Sequence, residues 1–217
     1  MIHYLMSAKM RRVLGMLLLS AAAGCAALGL VGRALPGPTI HARYKGLKGQ
    51  ALGVMVWADR GIRIDKPNIQ LDTANTIQRQ LRLIKADELQ GIRFPYEPSA
   101  IYRYQKDYPQ TEAMAITDVA PHLKELTRLI YVEIQDFRTR SEEAVEIFRG
   151  SATATIQIVE IVQDQAKVAY REDNLRVAYP RKGLDPALDE QTVYFATVGE
   201  LADAVAKRFY THQGERE

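Results

Sequence analysis

The only cysteine among the 217 residues, Cys25, directly follows Ala22, Ala23 and Gly24. A lone thiol can carry one substituent, but it can form neither an internal disulfide nor a multi-thiolate metal site. The other residues able to do chemistry are scattered. No two of the four histidines, His3, His41, His122 and His212, have metal-ligand spacing. The serines after Cys25 are Ser99, Ser141 and Ser151, and none sits in a Gly-x-Ser-x-Gly elbow. Phosphate-loop, dinucleotide, zinc-protease and calcium-loop spacings are absent too. Glycan hydrolysis needs only two carboxylates, so the acids are weighed separately. Glu133 and Asp136 stand three apart on one strand, an odd offset that points them to opposite faces of a regular strand. Glu142, Glu143 and Glu146 read as solvated hairpin charge, and Asp185, Asp189 and Glu190 as a loop closed by a helix N-terminus. The expectation is a protein that is not an enzyme, with no catalytic residue, metal or cofactor.

Residues suited to binding are denser. Phe94, Tyr96, Tyr102, Tyr104 and Tyr108 gather with Pro95, Pro98, Pro109 and Arg103. Tyrosine and arginine are enriched at interface hot spots, which makes Tyr96, Tyr102, Arg103, Tyr104 and Tyr108 candidate partner-binding residues. The alternative is that these rings cover a sheet edge. A second candidate surface is the polar face of a later sheet, with Tyr131, Gln135, Thr153, Thr155 and Gln157.

The elements that position these groups begin with a membrane segment. Lys9, Arg11 and Arg12 precede an apolar run over residues 13–23, and the small residues then lead to Cys25. This layout resembles a bacterial lipoprotein signal, which implies cleavage before Cys25 and acyl chains, palmitate among them, on that residue. Ala22 departs from the Leu favoured three positions before the cysteine, and Ala26 implies sorting to the outer membrane. A second reading stays open, because the apolar stretch continues to Arg33, and about 20 residues can span a bilayer as an uncleaved anchor. A cytosolic protein with an apolar N-terminus is the third. Both leading readings tether the remainder on the periplasmic side of a bacterial envelope.

Charge narrows the partners. The chain has 29 Lys+Arg against 26 Asp+Glu, but residues 1–24 supply three of the cations and no acid, leaving 26 of each. The pI of about 8.9 therefore belongs to the leader, and no nucleic-acid footprint is present. The membrane is the expected partner, with an envelope protein of unspecified identity. Residues 1–24 read as signal, 25–50 as lipid anchor and linker, 51–211 as one globular domain, and 212–217 as a tail.

Within 51–211 the hydrophobic period changes repeatedly. Residues 51–58 form a continuous apolar strand. Asp72 is the expected N-cap of a helix over 72–86, with Ile77, Leu81 and Ile84 on its apolar face. Ile92-Arg93-Phe94 reads as an edge strand. Pro98 opens a helix, and Asp118 caps another. Residues 128–138, 151–162 and 166–179 then alternate as three antiparallel strands, with a turn at Asp164-Gln165 and a break at Glu172-Asp173-Asn174. The alternation predicts one covered and one wet face. A helix over 193–210 closes the chain. The expected class is α+β: a single domain with a mixed sheet, a βαβ-like start, a three-stranded antiparallel meander, a C-terminal helix, and helices mainly on one face.

This order of elements, with Leu129-Ile-Tyr-Val-Glu-Ile as a strand, a long hairpin from Phe148-Arg149-Gly150 and the closing helix, resembles a group of envelope proteins. The group comprises the curli-secretion lipoprotein, penicillin-binding-protein activator lipoproteins, the lipopolysaccharide-assembly lipoprotein and the N-terminal domain of the Tol-system propeller protein. The resemblance covers residues 51–211 as a pattern, and it implies a non-catalytic adaptor or an assembly and transport accessory. A lipoprotein that binds a lipid or small ligand is the alternative, and a hydrolase comes third.

Overall fold

The computed structural model of the chain describes residues 37–141, 148–183 and 187–214. The expectations for the signal, Cys25, Glu142, Glu143, Glu146 and Asp185 lie outside the described residues. The chain divides into a small unit, Met1–Ile40 with Gln213–Glu217, and a large unit, His41–His212. In the small unit the Gly214 N–H donates to the Pro38 carbonyl at 2.7 Å. Two short strands, β1 (Thr39–Ile40) and β6 (His212–Gln213), form a two-stranded sheet.

The large unit is α+β. Its elements are β2 (Leu52–Ala58), α1 (Arg60–Asp65), α2 (Ile69–Leu83), α3 (Pro98–Asp107), α4 (Ile116–Val119), β3 (Arg128–Arg140), β4 (Phe148–Val162), β5 (Gln165–Tyr179) and α5 (Glu190–Ala206), with short 3-10 turns between them. The sheet order is β2-β3-β4-β5. β2 runs parallel to β3, and the remaining pairs are antiparallel.

All seven residues of β2 are buried because both of its faces are covered. Leu52, Val54, Val56 and Ala58 join Ile130, Val132, Ile134 and Ile156 in one cluster with Ile77 and Leu81 of α2 and Val198 and Leu201 of α5. Met55 and Trp57 face the other way, into a second cluster with Ile101, Val119, Leu123, Leu126, Leu129 and Val159. The two long helices share one face, while α3, α4 and the segment to Leu126 cover part of the opposite one. Gly53 permits this second covering, since a Cβ there meets Leu126 Cδ1 at 2.4 Å and Ile101 Cδ1 at 3.1 Å.

The wet face expected from alternation is therefore corrected. Thr155 is 0 % exposed and Gln157 7 %. The polar face stays wet toward Gln135 and Arg138, and along β5, where Arg171 opposite Gln157 and Val168 opposite Val159 are exposed.

Three further differences have local causes. α2 begins at Ile69 with Asn68 as its N-cap. Fully buried Ile69 carries the apolar stripe one turn ahead of Asp72, which instead accepts a 2.8 Å hydrogen bond from Tyr194 of α5. Of the expected strand at residues 92–94 only one parallel bridge remains, Ala51 with Arg93, because Pro95 has no N–H to extend the ladder. The turn between β4 and β5 sits one residue earlier than expected, with Gln163 and Asp164 at φ 49° and 62°. That pair of left-handed residues is the type I′ geometry that matches strand twist. The break near Glu172 is a bulge: Asp173 and Asn174 oppose Thr155, and Asn174 takes φ 58°.

Residues 41–50 are folded body, which corrects the linker boundary. Leu47 is completely buried, and the Arg43 and Tyr44 N–H groups donate to the Arg208 carbonyl at 2.8 and 3.1 Å. Arg43 Nη1 lies 3.2 Å from Glu172, which also accepts bidentate hydrogen bonds from Arg208 at 2.8 and 2.9 Å.

Candidate functional site

The tyrosine-rich segment divides into packed and outward residues. α3 starts at Pro98, whose missing N–H is no loss in a first helical turn, and it buries Ile101 and Gln105. Tyr96 and Tyr104 pack against the second cluster, and burial raises the Tyr104 hydroxyl pKa. Tyr108 stacks on Tyr104 with ring centroids 4.9 Å apart, yet it is 48 % exposed. Arg103 is exposed, and Tyr102 is half-buried.

Tyr102 also lines a recess of about 370 Å³ at the carboxyl end of β2. Its floor is built by two amides. Gln70 of α2 and Gln105 of α3, each 5 % exposed, donate their Nε2 hydrogens to the Val56 carbonyl at 2.7 and 3.0 Å. These bonds satisfy one carbonyl on the outer edge of β2, which carries no further strand, and they tie both helices to it. Trp57, Pro67, Tyr102 and Pro109 supply apolar walls. Arg63 of α1 reaches over the Trp57 indole, 5.6 Å from its centroid, and its Nη2 donates to Glu112 Oε1 at 2.5 Å. The Arg63 Nε is buried without a hydrogen-bond partner, a state that costs about 1–3 kcal/mol. Lys106 lies 4.9 Å above the Tyr102 ring.

No spacing in the sequence marks the recess, because its residues come from five separate elements. One signal was present: ligands favour the carboxyl ends of parallel strands in α/β sheets, and Trp57 is the penultimate residue of β2.

Glu133 and Asp136 lie on the same face, contrary to expectation. The ladder pairs Glu133 with Thr155 and Asp136 with Thr153, so Gln135 is the extra residue of a bulge that reverses the alternation. The same reversal turns Phe137 and Thr139 inward. Asp136 accepts from Arg138 at 3.0 Å, and Asp173 from Thr155 at 3.0 Å and from Arg171 at 3.0 and 3.1 Å. Burial, with the Glu133 and Glu112 charges, raises the Tyr131 hydroxyl pKa.

α5 begins at Glu190, three residues ahead of the expected start at Val193, and Asp189 caps it by accepting from the Thr192 N–H at 2.8 Å. Glu190 accepts from Thr139 at 3.0 Å and pairs with Lys66. His122 is exposed beside an open, shallow surface depression. Among the described residues no group of three or more His, Cys, Asp or Glu is placed to hold a metal, and no helix is long and apolar enough to cross a membrane.

No protein-family model matches the chain, and no curated protein matches it. Two solved structures share part of its geometry. The PelC dodecamer from Paraburkholderia phytofirmans is 9 % identical, covers 79 % of this chain and 94 % of its own, and has a TM-score of 0.39. The hypothetical protein CT253 from Chlamydia trachomatis is 17 % identical, with 72 % and 98 % coverage and a TM-score of 0.39. Likeness at this level says nothing about substrate or partner.

Proposed function

We propose that the chain is a non-catalytic accessory protein, tethered through Cys25 to a bacterial envelope membrane on its periplasmic side, that works by protein contacts. The observation that carries the contact surface is the division of the tyrosine segment. Tyr104 on α3 and Tyr96 just before it pack against the second cluster, leaving Arg103 exposed on α3 and Tyr108 exposed at its C-cap, on a segment already held rigid. Rigid aromatic and guanidinium groups lose little conformational entropy on docking.

The test is recovery of partners from detergent-solubilised envelope with the full-length protein as bait. Tyr108→Ala with Arg103→Ala is expected to lower recovery of a wild-type partner at least about fivefold, roughly 1 kcal/mol, while the melting temperature stays within a few degrees. Unchanged recovery overturns this surface.

A second reading, a lipoprotein that binds a small ligand, is favoured by the recess beside Trp57. Its volume of about 370 Å³ falls in the range of ligand sites, and apolar walls with a few convergent polar groups are their usual composition.

A further inference from the structure

The geometry points to the recess at the carboxyl end of β2 as a binding site for a small cyclic anion, an aromatic or saccharide ring bearing a carboxylate or phosphoryl group. The inference rests on the ligand-binding reading and names its ligand class.

The first observation is shape. About 370 Å³ holds a single substituted ring, and the walls present ring surfaces of their own in Trp57, Tyr102, Pro67 and Pro109. Trp57 is 9 % exposed, and its small exposed part belongs to a side chain already fixed by packing. A ring entering there removes apolar surface from water without ordering its host.

The second observation is charge. Two cations, Arg63 and Lys106, and one carboxylate, Glu112, line the recess. Glu112 is engaged by Arg63. Lys106 lies against the Tyr102 ring, and no carboxylate of the described residues pairs with it. One uncompensated positive charge at the exposed rim of the apolar walls favours an anion, through an attraction that salt screens.

The third observation is the guanidinium itself. A carboxylate or phosphate bound side-on uses Nε and one terminal nitrogen together. Glu112 takes Nη2 alone, and the buried Nε–H has no acceptor. An anion supplies the missing acceptor once Arg63 turns its covered Nε edge into the recess. The amides of Gln70 and Gln105 do not compete, since their Nε2 groups are bonded to Val56.

The protein carries its own reporter, because Trp57 is its only tryptophan. The full chain in detergent is titrated with benzoate, phenyl phosphate and glucuronate, and with the neutral counterparts benzyl alcohol and glucose, while tryptophan emission is followed. At least one anion is expected to change the emission saturably, with an apparent affinity about tenfold or more above its neutral counterpart. Lys106→Gln is expected to weaken that affinity about tenfold without moving the melting temperature, since the residue is exposed. A response to benzoate or phenyl phosphate identifies an aromatic ring, and one to glucuronate a saccharide ring. Equal saturable binding of anionic and neutral partners overturns the anionic assignment and leaves the ligand-binding reading standing. No saturable change with any probe at millimolar concentration overturns both. An affinity unaffected by Lys106→Gln overturns the assigned role of that charge.

Discussion

Tyr104 and Tyr108 touch each other, yet they have different consequences. Tyr104 lies against the second cluster but is only half-buried, so Tyr104→Ala is expected to cost about 2 kcal/mol, below the roughly 3–5 kcal/mol of a fully packed aromatic. Tyr108→Ala removes an exposed ring and is expected to stay within about 0.5 kcal/mol. Denaturant melts of the two variants check the difference, and equal losses contradict the division of α3 into packed and outward sides. Cys25 belongs to the same scale. Cys25→Ser is expected to abolish acylation and leave a precursor with Met1 and its leader intact, as mass spectrometry of the membrane fraction reads directly. A wild-type protein that already keeps Met1 and carries no acyl chain supports the uncleaved anchor. Cys25 and the tyrosines were legible as residues of interest from type and clustering alone, but the direction each tyrosine faces was not, because it depends on a cluster drawn from β2, β3 and β4.

At the scale of elements the sheet decides which substitutions are tolerated. Ile130→Asp is expected to unfold the domain by burying a charge in the first cluster. Thr155→Asp, on the face that alternation alone marks as wet, is expected to be about as damaging. Thr155 is fully buried, and its hydroxyl donates to Asp173, so the new carboxylate sits buried beside another. Thermal melts of both variants test this, and a wild-type melting temperature for Thr155→Asp contradicts the burial of Thr155 beneath Gln135 and Asp173. The bulge at Gln135 is the other feature that alternation cannot reveal. One extra residue reverses the parity of everything after it, which is why Glu133 and Asp136 share a face and Phe137 reaches the core.

A second element-scale prediction concerns Glu172 on β5. Burial pushes its carboxyl pKa up, but the hydrogen bonds from Arg208 and Tyr170 and the Arg43 charge outweigh burial and hold it below the ordinary value. A lowered folded pKa adds stability that is complete above the unfolded value, about 4.3, and is lost as pH falls through the folded one. Glu160 is lowered as well, chiefly by the Tyr44 hydroxyl. The melting temperature is therefore expected to fall as pH drops below about 5, and Glu172→Gln should flatten that fall while lowering stability at neutral pH. An acid limb of unchanged steepness in the variant counts against this origin.

For the whole molecule, residues 41–50 decide where the domain starts. Arg43 and Tyr44 bond to Arg208 near the far end of the chain, and Leu47 fills the first cluster. A fragment starting at Ala51 is expected to be at least about 3 kcal/mol less stable than one starting at Gly37, since the loss of Leu47 alone is on the scale of a buried-leucine truncation. Equal denaturant midpoints for the two fragments return the segment to a linker.

What the sequence determined by itself is local. The identity and order of the main strands and helices, the start of α3 at Pro98, the hairpin after Val162 and the missing positive footprint all follow from periods, turn residues and charge within a few positions. The tertiary structure alone decided the second apolar cluster, the parity reversal at Gln135, the inclusion of Leu47 in the core and the recess beside Trp57. Each depends on groups far apart in the chain meeting at one place: Gln70 and Gln105 on the Val56 carbonyl, Arg43 and Arg208 on Glu172, Arg63 with Glu112. Such meetings leave no periodic trace, because a side chain's period records which face of its own element is buried and says nothing about which distant element covers it.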